Sequence, residues 1–192
     1  VYHSTFTNNT NLSETTGGGG ALYTSNVAIY HSKFFNNYST HDGGAIYSQG
    51  GNDIISHCLI KNNTADNLGG GIYGTSLKIY NSEISYNTAN DGGGIYATGQ
   101  IDLFLAANVS NNRAKNGGGI YVDGGVELQF GNGLIVSNQA AEVGGGIYLS
   151  NGQLVFTDTP NFGIYNNSAD VEAADIYASG SNTRIVIPDV KT

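Results

Sequence analysis

The chain has 192 residues, a net charge of −8 and only 11% charged residues, with 29 Gly, one Cys and neither Trp nor Met. That length fits a single domain, and the acidic balance disfavours nucleic acid and anionic membrane surfaces, which need basic patches. The lone Cys58 excludes an intrachain disulfide, and no stretch approaches the roughly 20 apolar residues of a membrane-spanning helix.

The chain opens in mid-repeat, because Val1–Asn9 (VYHSTFTNN) echoes Ile29–Asn37 (IYHSKFFNN). A single domain over residues 1–192, a piece of a longer protein, is therefore the expected organisation. From there a Gly-Gly-small-Ile-Tyr block recurs at Leu22-Tyr23, Ile46-Tyr47, Ile72-Tyr73, Ile95-Tyr96, Ile120-Tyr121 and Ile147-Tyr148, and a degenerate copy, Ala-Asp-Ile176-Tyr177, closes the series. Before each block stands an apolar-x-x-Asn element: Phe6/Asn9, Phe34/Asn37, Ile60/Asn63, Ile84/Asn87, Val109/Asn112, Ile135/Asn138 and Ile164/Asn167. A third run, such as Leu77-Lys-Ile-Tyr or Val126-Glu-Leu-Gln-Phe, alternates apolar and polar residues, the pattern of a strand with one buried face. Three short strands per repeat, without helical periodicity, predict an all-β fold: a single-stranded right-handed parallel β-helix (solenoid) of about seven coils. One coil cannot bury its apolar side alone, so stacking along the axis supplies the core. At about 4.8 Å per coil the rod is roughly 30–35 Å long. The last repeat, with Pro188 in its tail, reads as a cap or as the end of the segment.

Stacking turns each repeated position into a ladder. Asn37, Asn63, Asn87, Asn112 and Asn138, with Asn9 and Asn167 at the ends, sit where a strand turns. Asn tolerates left-handed backbone there, and its amide can bond to the copies above and below. Three residues before the apolar member stand His3, His31, His57, Asn81, Ala106, Asn132 and Asn161. Continued alternation from Val27 and Ile29 points this slot inward, as a polar ladder in which His replaces Asn. A metal site is the rival reading, disfavoured because no carboxylate repeats beside it. Buried neutral imidazoles would make the N-terminal coils loosen near pH 5. The neighbouring series Ser4, Ser32, Cys58, Ser82, Ala107 and Gly133 makes Cys58 a small buried filler rather than a nucleophile. The pattern leaves open which member of each Ile-Tyr pair faces the core; if Ile faces in, Tyr47, Tyr73, Tyr96, Tyr121 and Tyr148 form an outward stripe. It is a candidate surface for sugars or a partner's apolar face, set against a simple cross-coil aromatic ladder. Asp42 and Asp91 precede Gly-Gly, but the nonapeptide calcium motif is absent.

The repeat resembles the chlamydial polymorphic membrane proteins, which carry Gly-Gly-Ala-(Ile/Leu/Val) and Phe-x-x-Asn in a β-helical passenger ahead of an outer-membrane barrel. Gly19-Gly-Ala-Leu22 and Gly43-Gly-Ala-Ile46 match the first motif, and Phe6-Thr-Asn-Asn9 and Phe34-Phe-Asn-Asn37 the second. Later coils drift to Gly-Gly-Gly-Ile and Ile/Val-x-x-Asn. Similar repeats occur in adhesin-like surface proteins with pectate-lyase-like folds. The resemblance implies a secreted or cell-surface adhesin or passenger stalk, contacting a host or cell-surface glycan or protein.

The competing class is a polysaccharide-binding or polysaccharide-degrading β-helix. Fold alone does not decide between them. Lyases of this fold rely on Arg or Lys with calcium-binding carboxylates, and glycosidases on two carboxylates facing one sugar. Here Arg113 and Arg184 are the only arginines, and acids such as Asp66, Glu83, Asp102 and Asp123 are scattered singly. No catalytic set, cofactor or metal is therefore expected, nor nucleic-acid binding or membrane insertion of this segment, and a monomeric part of a larger chain is anticipated.

Overall fold

In a computed structural model, residues 1–13, 17–157 and 162–186 are described. Asn161 and Pro188 lie outside these residues. Among them every element is a strand, and every strand pairing is parallel. Three seven-stranded sheets run the length of the molecule. The block sheet takes one strand from each Gly-Gly-x-Ile-Tyr block, from Leu22–Thr24 to Ile176–Ser179. The middle sheet runs from Ala28–Tyr30 to Arg184–Val186, and the asparagine sheet from Thr5–Thr7 to Phe162–Tyr165. Two three-stranded sets, including Tyr38–Ser39 and Gln139–Val143, close the fourth side between the asparagine and block sheets. This is the expected parallel β-helix with three principal strands per coil.

The register explains why the repeat reads so clearly. Ile46, Ile72, Ile95, Ile120 and Ile147 pair directly above one another. Ile55, Ile79, Leu103, Phe130 and Phe156 form a second inner column, and Phe34, Ile60, Ile84, Val109 and Ile135 a third. Nearly all are fully buried, and burying each such side chain contributes about 1.5–3 kcal/mol. Ile, not Tyr, is the core member of the Ile-Tyr pair. One core position breaks the rule. Asp53 occupies the column otherwise filled by Leu77, Ile101, Leu128 and Leu154. It is buried, and accepts from the Val27 N–H (2.6 Å) and the Ser48 hydroxyl.

Two corners correct the expected side-chain directions. His3, His31, His57 and Asn81 have positive φ, at 45°, 49°, 55° and 45°. A left-handed residue resets the strand alternation, so Tyr30 and His31 both face outward and Ser32 faces in. The histidines are exposed, not inward as alternation suggested, and the burial argument for acid loosening of the N-terminal coils falls with that orientation. His and Asn share this slot because both are enriched in left-handed backbone. The second corner shifts another expectation by one residue. Left-handed geometry belongs to Asn8, Asn36, Asn62, Tyr86, Asn111, Ser137 and Asn166, each just before a ladder asparagine. The ladder asparagine is thereby turned into the core.

Candidate functional site

The buried asparagines form one continuous hydrogen-bonded column. Asn63 donates both its backbone N–H and its Nδ2 to Asn87 Oδ1, each at 2.9 Å, and a further Nδ2 bond reaches the Phe34 carbonyl at 3.1 Å. The same triplet recurs at Asn37, Asn87, Asn112 and Asn138. At its end Asn167 donates Nδ2 to Asp175 Oδ1 at 2.9 Å. The carboxylate of the degenerate block thus stands where an eighth asparagine oxygen would be. These asparagines have every polar atom engaged inside the coil, so their role is structural.

The tyrosines of the block sheet point outward as a stack. Ring centroids are 4.3 Å apart between Tyr121 and Tyr148 and 5.6 Å between Tyr73 and Tyr96, with the other neighbours between. Interior ring faces are therefore taken by neighbouring rings, and solvent meets edges and hydroxyls. Tyr47 and Tyr96 are almost covered, while Tyr23 at the end of the stack is 57% exposed. Turn residues tether the hydroxyls: Tyr23 donates to Gln49 Oε1 at 2.6 Å and Tyr96 to Asp123 Oδ2 at 3.0 Å. Burial pushes the Tyr73, Tyr96 and Tyr121 hydroxyls above the usual phenol range, and the Asp123 carboxylate adds to the shift at Tyr96.

His3, His31 and His57 stack at 5.0 and 4.7 Å between centroids. No group of three or more His, Cys, Asp or Glu among the described residues is arranged to hold a metal. Cys58 is buried beneath this corner, its thiol directed at the Ser56 carbonyl (3.3 Å), and burial raises its pKa. It shares its inward column with Ser32, Ser82 and Ala107, which are also buried.

Most acidic groups are held one by one by neutral donors. Asp42 Oδ1 accepts from Asn67 Nδ2 (3.0 Å) and Leu68 N (3.2 Å), and Asp91 Oδ1 from Asn116 Nδ2 (2.9 Å). The Leu68 rung separates Asp42 from Asp91. Asp66 accepts from the Tyr38 hydroxyl and Asp102 from Gln100. Both arginines are exposed, and an ion pair joins Lys115 to Glu142 at 3.3 Å. Partial burial raises the Asp42 and Asp91 pKa values, and at Asp91 it outweighs the Asn116 amide and the Lys115 charge. A carboxyl raised in the folded state contributes stability below its unfolded value, lost as pH rises through the folded one. Asp91→Asn is therefore expected to raise the Tm at pH 7 and to leave it unchanged near the bottom of the carboxylate range. Melting curves at both pH values check this, and a lower Tm at pH 7 contradicts it.

The family model of the Chlamydia polymorphic membrane protein (Chlamydia_PMP) repeat matches residues 3–25, 31–49, 57–75, 81–98 and 107–123, together half of the chain. The chain belongs to the polymorphic membrane protein repeat family. Each match opens at or near the exposed corner and ends in or just past a block strand, so one polymorphic membrane protein repeat corresponds to one coil. The family is associated with the cell surface and its repeats are adhesin-like. No curated protein and no solved structure matches the chain.

Sequence reasoning passed over two features. Asp53 was hidden because the Asp-Ile-Ile-Ser run contains enough apolar residues to look like an ordinary strand. The other is a shallow open depression lined by His57, Cys58, Leu59, Asn81, Ser82, Glu83, Ala106 and Asn108. One signal for it was present: Phe104-Leu-Ala-Ala107 holds one residue more than Tyr80-Asn-Ser82 in the equivalent corner. The structure accommodates the extra residue with two consecutive left-handed residues, Leu105 and Ala106.

Proposed function

We propose that the chain is a non-catalytic β-helical stalk or passenger segment of a secreted or cell-surface adhesin-like protein, presenting its long faces to a host or cell-surface glycan or protein. The observation that carries this reading is the unbroken register of three seven-stranded sheets built from a surface-associated repeat. Such a rod projects and displays, and its carboxylates, each hydrogen-bonded singly, do not supply the pair facing one sugar that glycoside hydrolysis needs. Beads coated with the chain should bind cultured epithelial cells saturably and be displaced by the soluble chain. Binding no better than that of albumin-coated beads overturns the contact role. Release of new reducing ends or unsaturated sugars from a polysaccharide panel would overturn the non-catalytic one.

A further inference from the structure

We propose that the depression at the corner between the middle and asparagine sheets, spanning three successive coils, is a binding site for a neutral, hydroxyl-rich saccharide chain. The inference rests on the adhesin reading and names a site and a ligand class for it. It places recognition away from the tyrosine stripe.

The site is built where the histidine stack ends. His57 has one ring face against His31 at 4.7 Å between centroids. The next rung carries Asn81 rather than a fourth imidazole, as the His57 N–H bond to the Tyr80 carbonyl shows. The second face of His57 is therefore turned along the axis toward the depression it lines. Its Nδ1 lies 2.9 Å from Ser56 Oγ, which fixes the ring and leaves Nε2 for a ligand. An aromatic face held in place is a platform for the C–H face of a pyranose.

Polar groups surround that platform with bonding capacity to spare. The exposed Asn81 side chain has its whole amide available. Asn108 uses Oδ1 to accept from the Leu134 N–H at 3.0 Å and retains Nδ2. Glu83 Oε1 accepts from Ser85 at 2.7 Å, leaving its other oxygen. Leu59, Glu83 and Asn108 stand in one outward column on consecutive rungs, giving an apolar contact, an acceptor and a donor in sequence along the axis. Amide donors, a carboxylate acceptor and a ring face together match a sugar's hydroxyls and C–H face. The Glu83 carboxylate, in a chain of net charge −8, disfavours sulfated or uronic-acid chains.

The test is saturation-transfer NMR with tetra-N-acetylchitotetraose, cellotetraose and mannotetraose at millimolar concentration, and a heparin oligosaccharide for comparison. At least one neutral oligomer is expected to receive saturation, and Asn81→Ala/Glu83→Ala is expected to weaken its binding at least about tenfold, the loss of hydrogen bonds to an amide and a charged group. Asn81 has φ 45° and Glu83 accepts from the buried Ser85 hydroxyl, so the double variant is expected to melt slightly lower while staying folded. Should it fail to fold, Glu83→Gln carries the same comparison. No transfer to any neutral oligomer, equal binding of heparin, or unchanged affinity in the folded variant overturns the proposal. Binding of chain-coated beads to cells separates the two readings. Beads that bind cells equally well with the double variant leave the adhesin reading standing and remove this site from it. Sugar binding without cell binding does the reverse.

Discussion

Asn87→Ala is expected to lower the free energy of unfolding by about 3–5 kcal/mol, since each buried polar group left unpaired costs about 1–3 kcal/mol. Asn87 is fully buried at the middle of the ladder. Removing its amide strands the Asn63 backbone N–H and one Asn63 Nδ2 hydrogen, which both bond Asn87 Oδ1 at 2.9 Å. It also takes away the donor to the Ile60 carbonyl (3.0 Å). Water cannot replace these partners without entering the core. Asn9 offers the contrast. It is exposed, and it donates to Asn37 without a ladder asparagine above it, so Asn9→Ala should cost under about 1 kcal/mol. Urea denaturation of both variants measures the difference. An Asn87→Ala loss as small as that of Asn9→Ala would show that the ladder is not a principal source of stability. Because each coil contacts only its neighbours, hydrogen exchange in Asn87→Ala should rise first in the adjoining coils.

Gly70→Ala is the second large effect, and its cause is steric. A Cβ there would lie 2.4 Å from the carbonyl oxygens of both Gly93 and Thr88. Both obstacles are backbone of the next coil, so relief requires prising two rungs apart across several parallel hydrogen bonds. The expected cost is at the top of the overpacking range, about 3 kcal/mol or more, with loss of soluble protein as the extreme outcome. Gly124→Ala separates this clash from conformational strain. Gly124 has φ +82° but nothing within 4 Å of an added Cβ, so it should lose only about 1–2 kcal/mol for left-handed geometry. Equal losses in the two variants would mean that close coil approach is not what the second glycine of the block provides.

These effects show which parts of the molecule the repeat spells out. The Ile columns, the Asn ladder and the Gly-Gly approach are legible because stacked coils impose the same environment on each copy, so one physical demand is written six or seven times. Exceptions are harder to read. Asp53 stands once in a column of Leu and Ile, and only the positions of the Val27 N–H and Ser48 hydroxyl make a carboxylate tolerable there. Asp175 replaces a glycine of the block, and its role as the last acceptor of the Asn ladder depends on where Asn167 lies in space. The candidate saccharide site is an exception of the same kind. It arises where the histidine series stops and one residue is added at Leu105, so it has no repeated signature.

By itself the sequence determined the class of fold, the number of strands in each coil and the registry of Asn on Asn, while the inward Ile and outward Tyr of each block were decided by the structure. Alternation and period are local properties, and they survive any rotation of the coil as a whole. Tertiary structure alone decided the directions of the corner residues. Positive φ at His31 and Asn36 inserts a second outward residue at each corner of the asparagine sheet, moving the histidines from the core to the surface and carrying Asn37 into it. Alternation counted along the chain cannot register such a reset, because His and Asn adopt either backbone region and only the closure of the coil selects the left-handed one.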